Sequence, residues 1–358
     1  MVRRTPEGAR AAPLRYNGRD GVEAACPDAV PRNRPLFSTM GADPRRARVL
    51  ASLLMEIQRQ GETSRLVEHA TEPTRVVSRL REQGGSLVSA EALVVGLVNQ
   101  KGGCGKTTTA VNLAASLAAQ GHSTLLVDLD PQANATVSLG IDPASLERTI
   151  YHVVVDPDHD DGLPLASIIQ KSTAKRLDVA PSSIDLAAAE LELAARIGRE
   201  AALRKRLGPV RDKYAFILID TPPSLGLLTL NALVACDGII IPIQTHYYAL
   251  LGMRQLLRTL KMVRDEVGHQ VEILGVLPTM YDSRTSISKE IVAGIHEFFP
   301  NKVYQTAVHF NIKLVESSMS GVPLYLRDPD SRGAKEYMSL ASEVIAHAKR
   351  ARGVAARR

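Results

Sequence analysis

The sequence predicts an α/β fold: a parallel sheet with helices on both faces. From residue 93 onward, short β-branched, apolar runs alternate with helical stretches. Those runs are apolar at nearly every position, the mark of strands buried on both sides. A glycine-rich turn, Lys101 to Thr108, follows the first strand and opens the first helix. Strands are predicted at Leu93–Asn99, Thr124–Asp130, Leu177–Ala180, Tyr214–Asp220, Gly238–Ile243, Ile273–Thr279 and Lys302–Val308. Between them helices are predicted at Thr107–Ala119, Leu186–Leu207, Gly226–Ala235, Ala249–Val267, Ser286–Phe298 and Ala334–Arg350. Pro131 ends the second strand, because its ring cannot continue the ladder.

Ahead of this region the composition differs. Residues 1–40 are rich in Arg, Ala and Pro, hold five prolines and show no apolar period, so they read as disordered. Met40 and Met55 are alternative starts. Over 41–92, Val49, Leu50, Leu53, Leu54 and Ile57 fall at helical spacing. Two further short helices, one over Ser64–His69 and one opened by Pro73-Thr74, are expected before Gly84-Gly85. That rhythm fits either a small helix-turn-helix module or an amphipathic arm packing on the main domain or its dimer mate. The four expected regions are thus 1–40, 41–92, 93–348 and a basic tail over 349–358.

The formal net charge is +6 over 358 residues. Residues 1–92 hold fifteen arginines, no lysine and eleven acids, and the last ten residues hold five cations and no acid. Positive charge at both ends suits either a polyanion such as DNA or two solvated tails. Hydrophobic residues make up 45 % and charged residues 23 %, which excludes a wholly disordered or fibrous chain. No apolar run approaches the ~18 residues of a membrane span. The first residues lack an apolar h-region, so no secretory signal is expected. Three separated cysteines, Cys26, Cys104 and Cys236, fit a reducing compartment and make neither a disulfide framework nor a zinc site.

The chemistry concentrates in Lys101-Gly102-Gly103-Cys104-Gly105-Lys106-Thr107-Thr108. Three glycines let backbone N–H groups turn inward as an anion nest. The helix that follows points its positive end at bound phosphates. Lys106 can reach the β- and γ-phosphates, and the Thr107 hydroxyl can ligate Mg²⁺. Gln100 stands where the general pattern G-x-x-x-x-G-K-[ST] has its first glycine, and Lys101 adds a second cation. Asp128 and Asp130 close the second strand and, two residues apart, are expected on one face. Asp220 ends another strand, and carboxyls there project into a ligand crevice.

KGGCGKTT resembles the deviant phosphate loop of the ParA/MinD group of P-loop ATPases. The resemblance runs over 93–348, about 70 % of the chain. It includes LLVDLDPQANAT at 125–136, ILIDTPPSLGLLTLNAL at 217–233, YYAL at 247–250, MYDSRT at 280–285 and DPDSRGAKEY at 328–337. Together these look like the ParA (Soj) branch, ATPases that segregate chromosomes, plasmids and other cargo. The resemblance implies a P-loop NTPase fold, ATP and Mg²⁺ as ligands, and slow, partner-stimulated hydrolysis. It implies that Lys101 reaches the nucleotide of a second subunit, so that an ATP-dependent homodimer forms. Asp130 would position the attacking water and Asp220 would hold Mg²⁺ through water. Asp128 would support the loop or the metal shell, and Thr279 and Met280 would lie by the adenine. Cys104 stands where many relatives have Val and reads as a small apolar filler. Arg284 and Lys313 match positions that grip duplex DNA without sequence preference, and Lys349, Arg350 and Arg352 of the tail would add to that surface. The chain departs from the pattern at VHFNIKLVESSM, 308–319: His309 replaces a proline, Phe310 an arginine and Ser317-Ser318 an Ala-Pro pair.

The expected partners are therefore a second copy, non-specific double-stranded DNA and a ParB-like or cargo-bound activator, in the cytoplasm and on the nucleoid. Two alternatives are an orphan relative that positions a protein cargo and an ATP-switched DNA-binding repressor that reads with its N-terminal module. A membrane role of the MinD type is not expected, since AHAKRARGVAARR offers too little apolar face to anchor. An iron–sulfur relative would need two suitably placed core cysteines, and Cys104 is inside the loop.

Overall fold

The computed structural model describes residues 91–155, 163–246 and 251–355. The expectations for residues 1–90 lie outside the described residues, as do Tyr247–Leu250 and the final three tail residues.

Strand β1 (Leu93–Leu97) leads into helix α1 (Lys106–Ala119), then β2 (Thr124–Asp128) and the one-turn α2 (Asn134–Val137). Next come α3 (Ile150–Val155), β3 (Gln170–Lys171), β4 (Leu177–Ala180), α4 (Leu186–Ala194) and α5 (Ala202–Leu207). Then follow β5 (Phe216–Asp220), α6 (Leu227–Ala235), β6 (Gly238–Gln244), α7 (Leu251–Val267), β7 (Glu272–Thr279) and α8 (Ser286–Phe298). Helices α9 (Ile312–Met319), α10 (Leu324–Arg327) and α11 (Arg332–Ala355) complete the described part.

The seven strands form one sheet in the order β3-β4-β2-β5-β1-β6-β7. Every pair is parallel except the edge pair β3 and β4. The central strands are buried at almost every position because helices cover both faces. From β1 the chain crosses over the place later filled by β5 to reach β2, and it later returns to add β6 on the other side. The strand order therefore reverses at β1, and a crevice opens at the carboxyl ends there. Register brings the ends together: Leu97 is level with Asp220, and Asp220 with Asp128.

Helix α1 begins at this crevice. Its Ala110, Ala114, Ala115 and Ala118 are small and buried, which lets the backbone lie close on the sheet. Tyr337, Leu340, Ala341 and Val344 of α11 share the same core. The Tyr337 hydroxyl meets the Thr109 hydroxyl at 3.2 Å, a buried polar pair that fixes the two helices against each other.

Three predicted elements differ from the structure. Lys302–Val308 runs beside β7 with a single bridge, Val276 to Val303, and forms no strand. Pro278 of β7 has no N–H to donate, and the Gln305 and Thr306 N–H groups instead donate to the Glu343 carboxylate at 2.9 and 3.0 Å. The predicted helix Leu186–Leu207 is two helices: α4 ends at Ala194, α5 starts at Ala202, and Gly198, with a φ of +70°, lies in the turn between them. The last helix continues past Arg350 to Ala355, so most of the expected tail extends α11.

Candidate functional site

The phosphate loop spans the gap between β1 and α1. Gly103 and Gly105 have φ of +70° and +86°, a region that side chains rarely enter. Space is open where a Cβ on Gly103 would stand. The loop is held from below and behind. Asn99 is buried; its amide donates to Pro242 O at 2.6 Å and its Oδ1 accepts from Lys101 N at 3.0 Å. Thr279 at the end of β7 donates to Cys104 O at 2.8 Å, and Thr221 after β5 donates to Leu97 O at 2.7 Å. Cys104 is itself buried, and burial pushes its thiol pKa up, away from thiolate chemistry.

Lys106 opens α1 and is buried, with its ammonium 3.4 Å from Lys101 O, a long contact for so strong a donor. Asp220 stands at the end of β5 with no exposed surface, and by normal geometry neither carboxylate oxygen has a hydrogen-bond partner. Burial, then the Asp128 charge, raises its pKa well above the carboxylate range; the nearby Thr107 hydroxyl and Lys106 ammonium pull the other way.

Asp128 is equally buried but fully engaged. Its Oδ2 accepts from Thr136 N at 2.8 Å and Thr136 Oγ1 at 2.7 Å, and its Oδ1 from Asp130 N at 3.2 Å. Burial raises its pKa too, while the Thr136 hydroxyl and backbone N–H lower it. The strand stops at Asp128, so alternation of strand faces does not set the direction of Asp130. Four hydrogen bonds place Asp130 instead: its N–H to Asp128, its carbonyl accepting from Ser182 Oγ at 2.8 Å and Ala133 N at 2.9 Å, and its Oδ1 accepting from Gln132 N at 3.0 Å. Ser182 N also donates to Thr136 Oγ1 at 3.0 Å, so one relay runs from Ser182 through Thr136 to Asp128.

At the end of β7, against the phosphate loop, Thr279 is buried and Met280 takes a φ of +50°, uncommon for a residue with a side chain. Thr245 holds it by donating to Met280 O at 3.1 Å.

A family model described as an AAA domain matches residues 92–273. The chain is 47 % identical over 254 residues to the sporulation initiation inhibitor protein Soj of Bacillus subtilis, covering 71 % of this chain and 98 % of that one. It is 41 % identical over 252 residues to the chromosome partitioning protein ParA of Myxococcus xanthus, covering 70 % of this chain and 87 % of that one. The chain belongs to the ParA/Soj family of P-loop ATPases. Among solved structures, a Mycobacterium smegmatis protein titled cobyrinic acid a,c-diamide synthase, with bound ATP analogue and magnesium, matches with a TM-score of 0.61. It is 34 % identical and is covered to 96 %, against 72 % of this chain.

The side chains present in this ParA/Soj-family site fit Mg²⁺ and ATP. The buried Asp220 carboxyl, whose oxygens have no hydrogen-bond partner, would hold Mg²⁺, and the glycine loop with Lys106 would hold the phosphates. Lys101, Gly102, Gly103, Cys104 and Gly105 turn from β1 into the first turn of α1, which carries Lys106, Thr107 and Thr108, and the register sets this segment by the strand ends that carry Asp220 and Asp128.

The expected DNA residues fall on the turn after β7, on α9 and on α11. Arg284 is exposed and clamps Asp282 of its own turn through two bonds of 2.9 Å, which holds the Asp282 carboxyl down to about 2. Lys313 of α9 pairs with Asp328. The parallel bridge between Tyr281 and His309 brings the Arg284 turn beside the start of α9. Phe310 is 71 % exposed at that point. Lys349 and Arg350 are exposed on α11, and Arg352 falls within the same helix.

Sequence reasoning missed Asn99, Thr136, Ser182 and Thr221. Asn99 directly precedes the loop and a polar residue closing an apolar strand was the available signal; Ser182 offers none. Thr136→Val removes the hydroxyl that serves both Asp128 and Ser182 while keeping the shape. It is expected to lower stability by about 1–3 kcal/mol in urea unfolding, and Thr136→Ser is expected to restore most of the loss.

Proposed function

We propose that this ATPase works as a nucleotide-timed dimer in chromosome or plasmid partitioning, binding nucleoid DNA in the cytoplasm and leaving it when a ParB-like or cargo-bound partner stimulates hydrolysis. The observation that carries the reading is the buried, partnerless Asp220 carboxylate set against Lys106 and the glycine loop. Relatives named for chromosome partitioning support the biological setting.

In this reading the loop N–H groups and Lys106 bind the β- and γ-phosphates, and Thr107 with Asp220 holds Mg²⁺, the aspartate through water. Mg²⁺, when bound, neutralises charge on the phosphates. Asp130 orients the attacking water and accepts its proton as the oxygen bonds to the γ-phosphorus and ADP leaves. Asp128 is a positioning residue, because Thr136 and the Asp130 N–H occupy its oxygens. Thr279 and Met280 border the base. Lys101 starts the loop, half-buried, and supplies its cation to the nucleotide of the second subunit, so that the dimer depends on the γ-phosphate. Arg284, Lys313, Lys349, Arg350 and Arg352 contact DNA phosphates. Arg284 and Lys313 each exchange a carboxylate for a phosphate on binding, so each adds only the difference between the two pairings.

Multi-angle light scattering tests the assembly. Wild type is expected to be dimeric with Mg²⁺ and ATP and monomeric with ADP. Lys101→Ala is expected to stay monomeric in both, and Asp130→Ala to accumulate as the ATP dimer with hydrolysis lost. Equal mass in both nucleotides for wild type and Lys101→Ala contradicts the cross-subunit role.

Salt-titrated binding to random duplexes tests the DNA surface. Each phosphate contact contributes about 0.9 to the log–log slope. Arg284→Ala and Lys313→Ala are each expected to weaken binding equally on all sequences and to make that slope shallower. Deleting 349–358 is expected to do so more strongly. A repressor would instead lose preference for one sequence on removal of residues 1–85.

A further inference from the structure

Helix α9 ends against the loop that carries Asp130. Gly140 closes that loop after α2, and Gly321 follows α9; their φ values are +80° and +66°. The two meet backbone to backbone. A Cβ added to Gly321 would stand 2.7 Å from Gly140 Cα and 3.0 Å from Gly140 N. One added to Gly140 would stand 3.1 Å from Gly321 O. Neither obstacle is a movable side-chain tip, so any side chain here forces the two segments apart.

Both sides of the contact are anchored. On the loop side, Gly140 N donates to Val137 O at 3.0 Å and Ile141 N to Thr136 O at 3.3 Å. Thr136 is the residue that ties Asp128 to Ser182, and Ser182 in turn binds the Asp130 carbonyl. On the α9 side, Ser317 Oγ donates to Val322 O at 2.9 Å. Two residues on, Leu324 N donates to Asn112 Oδ1 at 3.1 Å, and the Asn112 amide donates to Thr108 O at 2.9 Å. Thr108 is the last residue of the phosphate-loop motif. The turn after α9 is therefore fixed to the first turn of α1 and presses on the Asp130 loop.

We propose that Gly140 and Gly321 are positioning residues for hydrolysis: their contact sets where the Asp130 loop sits relative to the phosphate loop. The Asp130 carboxylate accepts from the backbone N–H of Gln132 in its own loop, so a shift of that loop carries the carboxylate with it. Misplacement of about 1 Å in a reacting geometry can cost on the order of a hundredfold in rate. The inference rests on the reading of Asp130 as the residue that orients water.

The test uses the full chain and three glycine variants. Gly321→Ala and Gly140→Ala insert a methyl group into the contact. Gly268→Ala is the control: its φ is +69°, yet nothing lies within 4 Å of its added Cβ, and it sits between α7 and β7, at the opposite end of the sheet. Single-turnover hydrolysis, ATP affinity by titration with a fluorescent analogue, and urea midpoints are measured for each. Gly321→Ala is expected to slow hydrolysis by about ten- to a hundredfold with ATP affinity kept. Gly268→Ala is expected to lose only the stability that a side chain at positive φ costs, less than Gly321→Ala, and to hydrolyse at the wild-type rate. The double variant is expected to be no slower than the worse single one, because both changes open the same gap. If Gly321→Ala does not fold, Gly140→Ala, with its milder contact, carries the test. Wild-type rates in the folded contact variants overturn the proposal, as does equal slowing by Gly268→Ala. Asp130→Ala is run alongside: wild-type turnover there refutes the Asp130 reading itself, separately from the glycine result.

Discussion

A carboxylate with no hydrogen-bond partner, fully buried where three parallel strands end, is the constraint around which this site is built. Burying an ionised carboxylate unpaired costs several kcal/mol even after relaxation. Asp220 meets that cost either as a buried charge or as a proton taken up on folding: burial and the Asp128 charge raise its pKa, and the Thr107 hydroxyl and Lys106 ammonium oppose them without cancelling them. A cation entering the crevice reverses the balance. Ligand binding and fold stability are therefore coupled through one side chain.

The sheet topology makes this possible. Parallel strands β1, β5 and β2 end at one level, so the glycine loop, Asp220 and Asp128 are neighbours although Asp128 and Asp220 lie 31 and 123 residues beyond Leu97 along the chain. Division of labour between the acids follows from their partners. Asp128 has donors on both oxygens and serves the loop; the Asp220 oxygens have none, which suits the metal role proposed for it. The same scaffold reaches the outer helices through short polar links, Thr109 to Tyr337 and Asn112 to Leu324, so that α9, α10 and α11 sit fixed against the helix that begins at the phosphates.

Much of this was legible in the sequence because it is local. Lys101 to Thr108 is one uninterrupted string, and Asp220 closes an apolar run, so both could be read from adjacent residues. The direction of Asp130 was not legible, since it depends on where β2 stops and on Ser182, 52 residues away. The Gly140–Gly321 contact and the Asn112–Leu324 bond join segments roughly 180 and 212 residues apart, and nothing in either segment names its partner. Lys302–Val308 reads as a strand on composition; Pro278 on the neighbouring strand and Glu343 on α11 decide otherwise.

Thermal unfolding of wild type and Asp220→Asn at pH 8, without ligand, with ATP and with ATP plus Mg²⁺, tests the central claim most directly. Asn keeps the shape and removes the buried charge. The account predicts that the variant melts above wild type without ligand and that Mg²⁺ adds nothing to its stabilisation by ATP, whereas Mg²⁺ raises the wild-type midpoint further. A variant that melts below wild type without ligand and keeps the full Mg²⁺-dependent shift would contradict it.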